Sequence, residues 1–342
     1  GLLRILEEHV ASTRARSDIS GVIEDWTHVL TDPVLLHEGM QEHYPGVFTM
    51  GDLRKAADWS RLQQAKVLSW MEGDREERAS LDVEDEAILL RLFQLRVGPL
   101  RKKGRPLNVS HLVVDEVQDF SPIELKVLLG VCDKYNCVTF SGDTQQHIVE
   151  HSGFRDWDEL FEMLSVEGKA ISTLKVGYRS TERISAFARH ALGDQALDEP
   201  LMVAAKEGPP VELFQYTDHG ACVAFLADAL KELVRHEANA SIAVVTPNAA
   251  ISQMYFEGLS RGEVPKLRRV IDQEFAFESG VDVTEVSEVK GLEFDYVILV
   301  GVSARFYPDD AHARRLLHVG ATRASHQLWL TAVGSPSPIL PS

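Results

Sequence analysis

The hydrophobic and polar positions follow different periods in the two parts of the chain. Over residues 1 to about 106, apolar residues recur at helical spacing, as in LDVEDEAILLRLFQLRVGPL, and Pro and Gly punctuate the stretches. This spacing places the apolar residues on one face of an α-helix. The sequence therefore predicts a mostly helical segment over residues 1–106.

After a basic turn, RKKGR, short apolar runs replace the helical period. Short β-branched runs that alternate with helical patterns indicate parallel strands covered on both faces. We expect an α/β fold, with a boundary between two α/β domains near residues 165–175. Strands are predicted in HLVVDE and at 136–142, 170–176, 211–216, 241–247, 281–286, 296–302 and 327–333.

Composition limits the function classes. The 35 Lys and Arg stand against 52 Asp and Glu, a formal charge of -17, so any contact with a phosphate backbone must be local. The three cysteines have no metal-ligand spacing, which predicts neither a zinc site nor a disulfide framework and favours a cytoplasmic location. No apolar stretch approaches the length of a membrane span, so no membrane partner is expected.

The segment VVDEVQD contains the first candidate chemistry. A hydrophobic strand that ends in two acids is typical of nucleotide hydrolases, where the first carboxylate holds Mg²⁺ and the second polarises the attacking water. Asp115 and Glu116 fit these roles. On this segment alone, a strand followed by a solvated acidic turn is an equally good interpretation.

Two further segments carry groups suited to a nucleotide. VTFSGDTQQ is another strand end, and Gln146 in it could sense a terminal phosphate, although an ordinary Gly-Asp turn explains it as well. In GYRST, the ring of Tyr178 beside Arg179 suits a purine face next to a phosphate. A surface Tyr-Arg pair is the alternative.

The segments VKGLEFD and VGATRA come last along the chain. The first sets a Lys, a Gly and an acid before a predicted buried strand. The second places Arg323 where a guanidinium could stabilise charge on a γ-phosphate, as an arginine finger does, although TRA by itself also fits a simple helix start.

Taken in order, DEVQD, SGDTQQ, GYRST, KGLEFD and VGATRA resemble five successive signature motifs of UvrD/Rep-like superfamily 1 DNA helicases, over roughly residues 110 to 332. The resemblance implies two RecA-like domains, use of ATP and Mg²⁺, and movement on single-stranded DNA. It implies catalytic roles for Glu116 as general base and for Arg179 and Arg323 as phosphate clamps. It also implies nucleotide or metal contacts by Asp115 (Mg²⁺), Gln146 (γ-phosphate), Tyr178 (adenine), Gly291, and Glu293 (ribose).

The resemblance also implies a domain organisation. Residues 1–106 correspond to a helical subdomain, 107–169 to the remainder of an incomplete first RecA-like domain, and 170–342 to the second. No segment matches the phosphate loop G-x-x-x-x-G-K-[ST], because Gly168-Lys169 is followed by Ala170 and lacks the earlier glycine. This chain alone is therefore expected to hydrolyse ATP weakly or not at all.

Some positions depart from the family pattern. Glu285 and Ser287 stand where a Thr and a His normally face the DNA strand, and the interval between GYRST and KGLEFD is short. These features, with the segment GFRDW, look more like the helicase-like branch that includes the RNA polymerase recycling factor HelD.

Three functional hypotheses follow. The first is the carboxyl-terminal portion of an ATP-dependent DNA helicase or translocase, with a missing amino-terminal segment that carries the phosphate loop. The second is a non-hydrolysing helicase-like module that binds a protein partner such as RNA polymerase or a repair complex, which the acidic charge favours. A metal-dependent nuclease is a third and weaker hypothesis, since no Asp/Glu-x-Lys cluster accompanies the carboxylates.

Overall fold

The computed structural model describes most of the chain as two compact units that divide after Ala170. The residues described are 1–13, 16–73, 81–132, 137–142, 157–166, 170–174, 176–195, 203–204 and 206–341.

The first unit begins with five helices, in the segment predicted to be mostly helical: α1 (Leu2–Ser12), α2 (Ile19–Thr31), α3 (Pro33–His43), α4 (Met50–Glu72) and α5 (Val83–Arg96). Local capping explains several ends. Thr49 and Asp52 form a reciprocal capping box at the start of α4, and Gly73 ends α4 in the left-handed region at φ 110°. The helices enclose a core that includes Leu6, Trp26 and Leu92.

A short hairpin follows the helices. Strands β1 (Arg101–Lys102) and β2 (Arg105–Pro106) pair antiparallel across the two-residue turn Lys103-Gly104. Both turn residues have positive φ, 51° and 79°, as the tight hairpin turn that matches strand twist requires. The basic turn predicted here is thus the tip of a hairpin.

The rest of the first unit is a small α/β layer. Strands β3 (Leu112–Val114) and β4 (Val138–Phe140) pair in parallel, with helices α6 (Pro122–Leu129) and α7 (Trp157–Met163) beside them. Val114 packs into a core with Leu125, Leu129 and Leu160. Its neighbour Val113 points the other way and is 65% exposed, because side chains alternate along a strand.

The second unit is built on a six-stranded sheet in which every pair is parallel. Its strand order is β7-β12-β11-β8-β10-β9. The strands are β7 (Glu212–Tyr216), β8 (Ser241–Thr246), β9 (Leu267–Arg269), β10 (Gly280–Glu285), β11 (Phe294–Leu299) and β12 (Ala324–Val333). The α/β prediction is confirmed.

Helices cover both faces of this sheet, because its central strands are apolar on both sides. They are α8 (Glu182–Leu192), α9 (His219–His236), α10 (Ala249–Arg261) and α11 (Ala311–Thr322). Val245 and Leu299 pack in one core with residues of α8 and α11. Val244 and Ile298 pack in the opposite core with residues of α9 and α10.

The described strands differ from the predicted ones in several places. The run predicted as a strand at 170–176 is not one over its described residues 170–174, and only the two-residue β5 (Val176–Gly177) follows, paired in parallel with β6 (Val203–Ala204). Strand β9 was not predicted, because Leu267–Arg269 is short and polar and lies at an edge of the sheet. Within the part of the chain described, no helix has the length and apolar character to cross a membrane.

Candidate functional site

The two acids of VVDEVQD follow β3 directly. Asp115 is exposed and Glu116 half-buried, and both belong to the tight connection between β3 and a 3₁₀ turn at Val117–Asp119. The carboxyl ends of parallel strands meet at one edge of a sheet, where ligands bind in open α/β folds. The first unit therefore presents both carboxylates at the edge where such a site is expected.

Ser141, directly after β4, holds this connection from both sides. Its backbone N–H donates to Val114 O at 2.9 Å and its carbonyl accepts from Val117 N at 3.0 Å. Its hydroxyl donates a hydrogen bond to Oδ1 of Asp115. One residue thus fixes the backbone around the acids and the carboxylate of the first.

These bonds also fix the charge of Asp115. The hydroxyl of Ser141, and after it the backbone N–H of Glu116, hold the pKa of Asp115 below its ordinary value, and burial opposes them weakly. Hydrogen bonds to the charged form favour that form. Asp115 is consequently ionised throughout the neutral range, as a ligand for a cation must be.

Glu116 has an unusual backbone. Its φ of 50° and ψ of 43° lie in the left-handed region, which costs a non-glycine residue about 1 kcal/mol or more and is often found at functional sites. Its carboxylate is oriented as well, because Nε2 of the buried Gln118 donates to Oε2 of Glu116 at 2.5 Å. Gln118 therefore holds the carboxylate of Glu116 in place. The backbone N–H of Glu116 donates separately to Oδ1 of Asp115 at 3.0 Å.

Gly142 leaves room for this arrangement. A β-carbon added at Gly142 would lie 2.3 Å from Oε1 of Gln118 and 2.9 Å from Cγ1 of Val117. A glycine is needed here because of this close approach. Gln146, the predicted γ-phosphate contact, lies outside the described residues, as does Asp143.

The second unit brings two predicted residues into direct contact. Nε of Arg179 lies 2.8 Å from Oε2 of Glu293, and each side chain is about half exposed. Tyr178 stands beside Arg179 with 71% of its surface exposed. An accessible ring thus stands beside an accessible ion pair, and neither Arg179 nor Glu293 is buried.

Gly291 and Glu293 belong to the turn that leads into β11. Gly291 has φ 76°, and among the described residues no atom beyond Gly291 and its two chain neighbours lies within 4 Å of the place a β-carbon would occupy. A glycine at position 291 is therefore explained by the positive φ of the backbone and not by crowding from neighbouring atoms. The turn leaves the backbone at Gly291 open.

Arg323 is placed differently from Arg179. It is 1% exposed, and its guanidinium is held by three neighbours. Nε donates to Val319 O, one terminal nitrogen to Leu292 O and the other to Thr322 Oγ1, each at 3.1 Å. Since Leu292 belongs to KGLEFD, the side chain of Arg323 joins the last two motifs.

Backbone contacts bring a third motif to the same place. Phe294 N donates to Arg323 O at 2.9 Å, and the hydroxyl of Ser180 donates to Ala324 O at 2.7 Å. GYRST, KGLEFD and VGATRA therefore meet at the amino ends of β11 and β12. This arrangement unites Tyr178, Arg179, Gly291, Glu293 and Arg323 in one region of the second unit.

The Asp115 carboxylate and the Ser141 hydroxyl in the first unit suit a partial Mg²⁺ site. Among the described residues, no group of three or more His, Cys, Asp or Glu could enclose a metal ion. Mg²⁺ is usually held by one or two carboxylates together with waters and substrate phosphates. An exposed Asp115 with the Ser141 hydroxyl beside it suits that kind of partial site.

Sequence reasoning missed Ser141 and Gln118. Both lie inside recognised segments, SGDTQQ and DEVQD, in which the acidic residues carry the more evident chemistry. A hydroxyl at the end of a strand adjacent to an acid-bearing strand is the signal that could have found Ser141. Gln118 is buried, and only the fold shows that it faces Glu116.

Comparison with known proteins agrees with the motifs. Residues 280–331, from β10 to β12, match the family model of the UvrD-like helicase C-terminal domain. DNA helicase II of Haemophilus influenzae is 24% identical over 216 residues, which cover 62% of this chain and 29% of the relative. The resemblance to UvrD-like helicases is confirmed, and the chain matches about 29% of the length of that relative.

A solved structure of the C-terminal domain of a possible DNA helicase from Lactobacillus plantarum WCFS1 is also similar. It is 27% identical, with a TM-score of 0.40, and the match covers 48% of this chain and 92% of that one.

Proposed function

We propose that this chain is the carboxyl-terminal portion of an ATP-dependent DNA helicase or translocase of the UvrD/Rep type, acting in the cytoplasm. The observation that carries the proposal is the set of bonds around Asp115 and Glu116 at the carboxyl end of β3, where Ser141 and Gln118 orient both carboxylates. A solvated acidic turn has no need of these partners. The ordered motifs and the family match over residues 280–331 support it.

Each residue has a defined part in this proposal. Asp115 would hold Mg²⁺, and the ion would offset negative charge on the phosphates of ATP. Glu116 accepts a proton from the attacking water with the oxygen that Gln118 leaves available. The HelD-like branch remains a prediction from the sequence.

The second unit supplies the nucleotide clamp. Tyr178 is exposed enough to stack on adenine. Arg179 takes part by exchanging its ion pair with Glu293 for a phosphate, which releases Glu293 to accept a hydrogen bond from ribose. Arg323 must exchange one of its bonds to Val319, Leu292 or Thr322 for a phosphate oxygen.

The proposal requires a phosphate loop supplied from outside these 342 residues, because none is present in them. The first test is therefore the encoding open reading frame, inspected upstream for G-x-x-x-x-G-K-[ST]. The 342-residue chain should turn over ATP weakly or not at all. Turnover like that of an intact motor would contradict this expectation.

The second test uses the full-length protein and ATP turnover in the presence of single-stranded DNA. Glu116→Gln should lower turnover by roughly 100-fold or more while ATP binding persists, because general-base catalysis typically contributes ~10²–10⁴-fold. Glu162→Gln, an exposed acid on α7, is the matched control and should leave turnover unchanged. Unchanged turnover in Glu116→Gln would refute the role given to Glu116.

A second candidate is a non-hydrolysing module that binds RNA polymerase or a repair complex. The formal charge of -17 favours it, since acidic surfaces repel nucleic acid and suit basic protein partners. A reading frame without a phosphate loop, together with absent ATP binding, would support this candidate over the motor.

A further inference from the structure

Helix α4 carries a repeated pair of side chains that the proposed ATP chemistry does not use. Lys55 precedes Trp59 by four positions, and Lys66 precedes Trp70 by the same interval, so the pattern K-x-x-x-W occurs twice at a spacing of 11 residues. An 11-residue interval is close to three helical turns, which returns the chain to the same face. The two pairs therefore repeat along one side of α4, about 16 Å apart at ~1.5 Å per residue.

With Leu62 between them, these four residues form what we call the α4 stripe. At about 100° per residue, its members fall within an arc of roughly 80°. The opposite face of α4 is buried, with Leu53 at 7%, Ala57 at 0% and Gln64 at 3% exposure. The stripe thus faces away from the packing that holds α4 in the unit.

The stripe exposes large rings at its surface. Trp59 is 52% exposed, Leu62 66% and Trp70 40%. Tryptophan is usually well buried, and a row of exposed apolar side chains commonly marks an interaction surface.

The charge along the stripe is positive. Neither Lys55 nor Lys66 forms an ion pair with another described residue. Of the nearby acids on α4, Asp58 pairs with Arg61 at 2.5 Å, and Asp52 caps the helix with Thr49 while the charge of Lys55 also lowers the pKa of Asp52. In a chain of formal charge -17, this makes α4 a local site where a phosphate is not repelled.

We infer that the α4 stripe binds unpaired nucleic acid, with the two indoles stacking on bases and the two ammonium groups contacting backbone phosphates. The repeated Lys-Trp pair indicates this class of ligand, because a single strand presents bases and phosphates at regular intervals. An indole can stack on any of the bases, so no particular sequence is required. A purely apolar protein partner would not explain the two lysines. This inference rests on the proposed function and adds to it a surface that contacts the nucleic-acid strand without using ATP or the residues around Asp115.

The test measures binding of a labelled single-stranded oligo(dT) to the 342-residue chain at low salt without ATP or Mg²⁺, by fluorescence anisotropy. Replacing both tryptophans (Trp59→Ala with Trp70→Ala) should weaken binding by about tenfold or more, as loss of base stacking on aromatic residues typically does. The corresponding Phe substitutions should keep most of the affinity, because phenylalanine still stacks. Phe277→Ala, which removes an 84% exposed ring from the second unit, is the matched control and should bind like the unaltered chain.

A second measurement addresses the lysines. Lys55→Gln with Lys66→Gln should reduce the slope of log affinity against log salt by about 1.4, at ~0.7 per phosphate contact on a single strand. Arg54→Gln, an exposed charge on α4 outside the stripe, should leave the slope unchanged. An oligo(U) arm then distinguishes RNA from DNA, and binding of either single strand supports the inference.

Several results would overturn the inference. The first is that the unaltered chain does not bind oligo(dT). The second is that the double Trp→Ala variant binds oligo(dT) as tightly as the unaltered chain. The third is that a blunt duplex, whose paired bases are not free to stack on the indoles, binds as tightly as the single strand. Self-association that disappears in the double Trp→Ala variant would assign the stripe to a second copy of the chain. Because ATP is absent, these outcomes are independent of whether Glu116→Gln affects turnover in the full-length protein.

Discussion

Nε of Arg179 lies 2.8 Å from Oε2 of Glu293, which joins the motif GYRST to the motif KGLEFD in the second unit. The resemblance assigned these two residues to different parts of a nucleotide, a phosphate and the ribose. In the structure each is the partner of the other. Any nucleotide that uses both must first separate them.

We expect the Arg179–Glu293 pair to contribute little to stability. Both side chains are about half exposed, and exposed ion pairs contribute about 0.2–1 kcal/mol. A double-mutant cycle with Arg179→Ala and Glu293→Ala, measured by urea denaturation, should give a coupling energy in that range. A coupling energy above ~2 kcal/mol would mean that the pair is structural and too strong for a phosphate to replace.

Arg323 should behave in the opposite way. Because its buried guanidinium holds the carbonyls of Val319 and Leu292, Arg323→Ala should lower the free energy of unfolding by about 2–4 kcal/mol. The exposed Arg183→Ala is the control and should change it by less than about 0.5 kcal/mol. If Arg323→Ala proves as stable as the control, the buried hydrogen bonds of Arg323 do not stabilise the second unit.

A buried charge network in the first unit gives a third prediction. Asp25 accepts bonds from His9 at 2.9 Å and from Arg96 at 2.5 and 3.0 Å, which connects α1, α2 and α5. Asp25→Ala should destabilise the protein by about 3–5 kcal/mol, because it leaves a buried guanidinium without its carboxylate. Thermal or urea unfolding would show this change.

The matched control for this prediction is Asp58→Ala on α4. Asp58 also pairs with an arginine, Arg61, but the two side chains are 70% and 52% exposed. Its loss should cost less than about 1 kcal/mol. Equal effects of the two substitutions would show that burial does not control the contribution of Asp25.

Gly142 provides a prediction about the acid-bearing edge of the first unit. Gly142→Ala would press a methyl group against Gln118 and Val117, so Gln118 should lose its bond to Glu116. Overpacking of this kind costs about 1–3 kcal/mol. In the full-length protein, ATP turnover should fall further than the loss of folded protein alone would explain, because the carboxylate of Glu116 is no longer oriented.

Gly291→Ala is a useful comparison because its site has open space but a positive φ. It should cost about 1 kcal/mol through backbone strain alone, measured by the same urea denaturation. A larger loss would indicate contacts around Gly291 that the structure does not have.

Much of the fold follows from local pattern. The mostly helical character of residues 1–106 was predicted from apolar spacing, and the strands β3, β4, β7, β8, β10, β11 and β12 were predicted from their apolar runs. The failures were local as well. Residues 170–174 are apolar enough for a strand yet lie outside the sheets, and β9 is a strand only because β10 offers it an edge to pair with.

The sequence by itself determined the order of the five motifs, the α/β character of the second unit and the absence of a phosphate loop from these 342 residues. These are properties of residue type and spacing along the chain. Only the tertiary structure decided that Arg323 is buried while Arg179 pairs with Glu293, and that Ser141 rather than a neighbouring acid holds Asp115. Such partners come from strands and turns that are distant in sequence, and their choice depends on packing, which no local pattern records.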